Sequence, residues 1–146
     1  MIPMNDTING VKYWNIVLSN INPLAEIGED SIIHSPVWIA DGVKIGKRVK
    51  IQAFVFIPKG VVIEDDVFIG PHVCFTNDPK MDINNPNYLA TTFVRKGAKI
   101  GANSSILAGV IIGENATIGM GSVVLKDVPA WKTWCGNPAK RIDKKS

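Results

Sequence analysis

Isoleucine recurs at Ile21, Ile27, Ile33, Ile39, Ile45, Ile51, Ile57, Ile63 and Ile69, and Phe75 takes the next place. Every step is six residues. The beat resumes at Val94, Ile100, Ile106, Ile112, Ile118 and Val124. Four residues after most of these stands a small or β-branched residue, such as Ser31, Val37, Val55, Val73, Ser104 and Ser122. Gly, Asp, Glu and Asn crowd the positions between. A helix cannot use this pattern: six residues turn it by about 600°, so successive isoleucines would spiral around the axis. One long strand would keep them on one face, but the turn residues would break it. A short strand and a turn in each unit satisfy both facts. The small residue points in, its neighbour out and the next isoleucine in. Such units bury their apolar faces by stacking, so the expectation is an all-β solenoid.

At 146 residues the chain suits one domain. A net charge of +3, with no basic run interleaved with aromatics, gives no argument for nucleic acid as a partner. No apolar run approaches the length of a membrane span. The N-terminus "MIPMNDTING" lacks the basic start and apolar block of a signal peptide. Cys74 and Cys135 form no close-spaced metal or redox motif. These features predict a cytoplasmic protein with reduced thiols.

The units "IGEDSI", "IGKRVK", "IGANSS" and "IGENAT" resemble the hexapeptide repeat of left-handed β-helix acyltransferases. The resemblance implies a left-handed parallel β-helix with three units per coil, about five coils, and a homotrimer. It covers residues 21–143. Residues 1–20 fall outside it and are expected to cap the open first coil. With three units per coil, residues 18 apart stack. One outer column then reads Trp38, Phe56, Cys74, Ser105 and Val123. We expect Trp38, Phe56 and Cys74 near the trimer interface, because an exposed apolar column marks a contact surface.

The beat fails once. Phe75 and Val94 are 19 residues apart, 13 more than the beat allows, which places an inserted loop at 76–93. A single long excursion from a rigid scaffold is where function is usually placed. Its flanks, "IEDDVFIGPHVCFTNDP" and "TTFVRKGAKIGANSSILAGVIIGENATIGMGSVVLKDVPAWKTWCGNPAKRI", resemble the subgroup that N-acetylates amino sugars on nucleotide carriers. That implies acetyl-CoA as co-substrate, no metal, and an amino-deoxy sugar linked to dTDP or UDP as acceptor, in surface glycan (lipopolysaccharide-type) synthesis. The chain departs from the pattern at "DPKMDINNP", where many relatives have an aromatic and then Pro-Arg. It departs again at "IQAFVFIP", which lacks an Asn or His near Ala53 and Phe54.

Acyl transfer to an amine needs a neutral amine near the thioester, a donor for the oxyanion and a proton acceptor. The resemblance places Asn77 in the site, where its amide would orient the amine or a neighbouring hydroxyl. Asp78 would bind the ammonium or take its proton, although Asn and Asp also suit a loop-initiating turn. His72 is the histidine close to the loop and has the chemistry of a general base. His34 matches a histidine of relatives' first coil and would touch substrate. The departing CoA sulfur is a third proton acceptor, and the residues leave the choice open. For CoA the resemblance names backbone near Ala102, Ala108 and Gly109, with Lys126, Lys140 and Arg141 for phosphates and Asn137-Pro138 shaping the cap. Gly101, Gly113 and Gly119 read as turn residues of the repeat. Two histidines fall short of a three-His zinc site, which weighs against a γ-type carbonic anhydrase on the same solenoid. The same repeat would also suit an acyltransferase with a different small acceptor, or a non-catalytic assembly module.

Overall fold

The computed structural model describes residues 5–85 and 89–143. Residues 86–88, inside the expected loop, lie outside the described residues, as do 1–4 and 144–146. The chain is a β-solenoid built from three sheets. Sheet I has nine strands, sheet II six and sheet III five. Most strands are two residues long, such as Trp38–Ile39, Lys50–Ile51 and Thr117–Ile118. Each pairs in parallel with the strand one coil away. In sheet II the register runs Trp38↔Phe56↔Cys74↔Ser105↔Val123. Residues 18 apart therefore stack, and the loop shifts the spacing between Cys74 and Ser105 by its 13 extra residues.

The inward–outward alternation follows from strand geometry. Val55 and Ile57 are buried while Phe56 between them is 41% exposed. The isoleucines form a continuous internal ladder, with Phe75 substituting at the loop level. Each buried isoleucine contributes about 1.5–3 kcal/mol of transfer free energy. Three serines enter this core because their hydroxyls are satisfied. Ser31 Oγ donates to the Gly46 carbonyl and accepts from the Val49 amide, both at 3.0 Å. Ser104 Oγ donates to the Gly119 carbonyl, and Ser122 Oγ accepts from the Gly136 amide.

The stack is taller than the expected five coils. Sheet II alone has six levels, and sheet I adds the strands Val11–Trp14 and Thr133–Gly136 at its two ends. The periodic isoleucines undercount because these end strands carry the ladder without the six-residue beat. Val11–Trp14 pairs in parallel with Ile32–Ile33 and in an antiparallel hairpin with Asn5–Ile8. Thr133–Gly136 pairs in parallel with Thr117–Ile118 and folds back on Ala139–Arg141.

The glycines after the inward isoleucines act through size rather than conformational freedom, which corrects their reading as turn residues. Gly101 does not take a positive φ. A Cβ built on it would stand 2.5 Å from the Met120 backbone nitrogen on the next coil. The left-handed positions of the turns are filled by other residues, among them Asp30, Arg48, Asp66, Asn103 and Asn115 and a separate set of glycines that includes Gly42, Gly97 and Gly121. Cations and acids stack along the edge between sheets III and I: Glu29–Lys47 at 2.9 Å, Arg48–Asp66 at 2.7 Å and Glu64–Arg95 at 2.7 Å.

Candidate functional site

The loop leaves and returns at the edge between sheets II and III. Its base is fastened there by side chains. Thr76 Oγ1 donates to the Ile106 carbonyl at 3.0 Å and accepts from the Ala108 amide at 2.9 Å. Thr92 Oγ1 accepts from the Gly109 amide at 3.0 Å. The Ala90 amide donates to the Asn77 carbonyl, and the Thr92 amide to that of Gly60. Neither threonine stood out in the sequence, although both sit in its flanking segments. Their signal is positional: each faces the coil above at the point where the repeat breaks off or resumes.

Asn77 is held by the coil below. Its Nδ2 donates to the Lys59 carbonyl at 3.0 Å, which fixes the amide plane and leaves Oδ1 facing away from that bond. Asp78 turns back into the loop. Its Oδ1 accepts from the amides of Lys80 and Met81, and its Oδ2 from that of Asp82. Three backbone donors occupy the carboxylate, so this side chain shapes the loop. Beyond it Met81 and Ile83 are about nine-tenths exposed, at 88% and 91%.

His72 is on the other side of sheet II. It follows Pro71 at the edge between sheets I and II, with the strand Cys74–Phe75 between it and Asn77. Within one chain the structure does not bring His72 and Asn77 together. His72 is exposed and stacks on Phe54, with ring centroids 4.7 Å apart and an interplanar angle of 15°. His34 lies on this same edge two coils below, a rise of about 10 Å. It stacks on Trp14 at 5.6 Å and 5°, and Lys12 Nζ lies 5.7 Å from the centroid of the same Trp14 ring. Partial burial, and then the charge of Lys50, lower the His34 pKa below the ordinary histidine value.

The backbone positions expected for CoA divide between the two edges. Ala102 belongs to the His72 edge, and its carbonyl already accepts from the Gly121 amide. Ala108 and Gly109 belong to the Asn77 edge, one coil above the loop. Their amides are taken by the two threonines, so exposed donors are not what they offer. Lys126 stands one coil higher again on this edge. It lines a cavity of about 290 Å³ with Leu125, Trp134, Pro138, Lys140 and Arg141. Arg141 is paired with Asp143 at 3.0 Å, which in turn holds the Thr133 amide. Asn137 joins Pro138 through a cis peptide at the mouth of the last hairpin. Asn77, Ala108, Gly109 and Lys126 thus follow one another up a single edge, and the last hairpin of sheet I closes the cap cavity against Lys126 at its top.

Among the described residues no group of three His, Cys, Asp or Glu is placed to hold a metal ion. No helix among them is long and apolar enough to cross a membrane.

The family model for the bacterial transferase hexapeptide, six repeats, matches residues 42–77 and 91–126 and leaves out the loop between. A dTDP-3-amino-3,6-dideoxy-α-D-galactopyranose 3-N-acetyltransferase of Aneurinibacillus thermoaerophilus is 54% identical over 55 residues, 38% of this chain and 29% of the relative. A serine acetyltransferase of Buchnera aphidicola is 37% identical over 114 residues, 78% of this chain and 39% of the relative. The chain thus spans well under half the length of these curated relatives. The acetyltransferase domain of PglB from Neisseria gonorrhoeae, solved with acetyl coenzyme A, superposes with a TM-score of 0.78 at 20% identity, over 92% of this chain and 58% of that one. With the same solenoid, the same repeats and a single loop breaking them, the chain belongs to the bacterial transferase hexapeptide-repeat family.

Proposed function

We propose that the protein transfers an acetyl group from acetyl-CoA to the amine of a dTDP- or UDP-linked amino-deoxy sugar, in the cytoplasm, for surface glycan synthesis. The observation that carries this reading is the line of residues up one edge, from the fixed amide of Asn77 past Ala108 and Gly109 to Lys126, where the last hairpin adds Lys140 and Arg141 around the cap cavity. An extended pantetheine arm would follow the coils, with its thioester near Asn77 and its phosphates near Lys126, Lys140 and Arg141. The relative that acts on a dTDP-linked amino sugar supports the acceptor class.

In this reading Asn77 Oδ1 orients the acceptor amine. The amine nitrogen attacks the thioester carbonyl, the C–S bond breaks, and the amine proton leaves with the CoA sulfur or through His72. Asp78 contributes by shaping the loop. A homotrimer completes the site. Three triangular prisms with sheet II toward a three-fold axis set the His72 edge of one against the Asn77 edge of the next. Trp38 and Phe56, stacked at 6.3 Å, would then lie in the contact with Cys74. His34, on the same edge as His72, would meet the acceptor farther from the thioester.

The likeness to a serine acetyltransferase favours, as a second reading, another small acceptor on the same scaffold. A thiol-release assay against a panel of nucleotide-linked amino sugars, free amino sugars and serine separates the two. CoA release with a nucleotide-linked amine alone supports the proposal, and release with serine alone overturns it.

A further inference from the structure

The stacked pair at the edge between sheets I and II has a use beyond the acetyl transfer itself. Phe54 and His72 both hold positive φ, 64° and 61°. One and two coils above, the same place is filled by Asn103 and Gly121, residue types that take this conformation at small cost. A bulky aromatic there is strained, and burial does not offset it, because Phe54 is 57% exposed. The two rings stack nearly parallel, 4.7 Å apart, so His72 covers one face of Phe54 and leaves the opposite face for a ligand. Beside them lies a shallow apolar hollow of about 350 Å³ lined in part by Pro36 and Phe54, whose far side, Trp38 and Phe56, is the part given to the subunit contact in the proposed trimer. Stacked faces of this kind suit a planar ring better than a sugar, whose hydroxyls need polar partners.

We infer that Phe54, backed by His72, is the platform on which the nucleobase of the acceptor stacks, making Phe54 a specificity-determining residue. The inference rests on the nucleotide-linked acceptor proposed above and names the part of the chain that selects the carrier. It places the base on the edge that the trimer sets against the Asn77 loop of a neighbour.

The test is calorimetric titration of the full chain with dTDP and UDP alone, and separately with CoA, in the native protein, Phe54→Asn and Phe54→Trp. An aromatic–base stack is worth enough that its loss weakens binding by about tenfold or more. The expected result is that weakening for the nucleoside diphosphate in Phe54→Asn, near-native affinity in Phe54→Trp, and unchanged CoA binding in both. The melting temperature of Phe54→Asn should hold or rise, since Asn tolerates the left-handed conformation. Equal nucleoside diphosphate affinity in Phe54→Asn and the native protein overturns the stacking and leaves the acceptor class standing. Weakened CoA binding in its place assigns the platform to the adenine of the donor and also overturns it. A native protein that binds CoA but neither nucleoside diphosphate removes the acceptor class along with the platform.

Discussion

Asn77 Nδ2 donates to the carbonyl of Lys59, one coil below it in the stack, at 3.0 Å. The residue that opens the loop is thereby oriented by the scaffold and not by the loop. Replacing it with Ala should remove the oriented Oδ1 while leaving the solenoid intact. The expected outcome is a fall in kcat/KM of about 100-fold, with the melting temperature little changed, since one exposed hydrogen bond is worth about 0.5–1.5 kcal/mol. Steady-state kinetics and a thermal melt check this together. Native turnover in the variant would take Asn77 out of the mechanism.

Trp38 and Phe56 form the exposed apolar column of sheet II. Substituting both by Glu should dissociate the proposed trimer, because two carboxylates would be desolvated in the contact. Light scattering at several protein concentrations reads the mass. Activity should fall with the trimer fraction, since the His72 and Asn77 edges meet only between subunits in the proposed assembly. An unchanged trimer would show that sheet II faces solvent.

Gly101 lies so close to the coil above that a Cβ would stand 2.5 Å from the Met120 nitrogen. Gly101→Ala should force those coils apart and destabilise the protein by about 1–3 kcal/mol, the range for overpacking. Gly42, where an added Cβ meets nothing within 4 Å, separates the two effects: its positive φ of 71° makes Gly42→Asn the milder change. Denaturant melts of the two variants should rank in that order.

His34 is held below its ordinary pKa by burial and by Lys50. The folded state therefore binds its proton less readily than the unfolded state does. Its neutral form is fully accommodated above pH 6.5, and stability falls as pH drops through that value toward the lower folded pKa. His34→Gln should flatten the change in melting temperature between about pH 7.5 and about pH 5.5. The carboxylates of Glu29 and Asp66, lowered by Lys47 and Arg48, act in a separate, more acidic window that opens at the ordinary carboxylate values of 4.5 and 3.8 and runs downward. An identical pH slope in the variant would remove His34 as the source.

The six-residue beat was enough to give the β-solenoid and the position of the loop, and the family resemblance added three units per coil, hence the stacking of residues 18 apart. The solenoid follows from strand alternation and the need to bury a repeating apolar residue. Trp38, Phe56 and Cys74 could be placed in one column once the resemblance supplied three units per coil, and the register confirms that column. The end strands Val11–Trp14 and Thr133–Gly136 escaped the beat because they close the stack and need not repeat it. The side-chain roles were decided only in three dimensions. Composition cannot show that Asp78 engages its oxygens with loop amides, that Thr76 and Thr92 hold the amides of Ala108 and Gly109, or that Phe54 stacks on His72. Nor can it show that Gly101 is needed for the approach of the next coil and not for its own dihedrals. A repeat specifies which residues face inward. Which partners an edge residue finds depends on the coil above and below, and that is set by the folded stack.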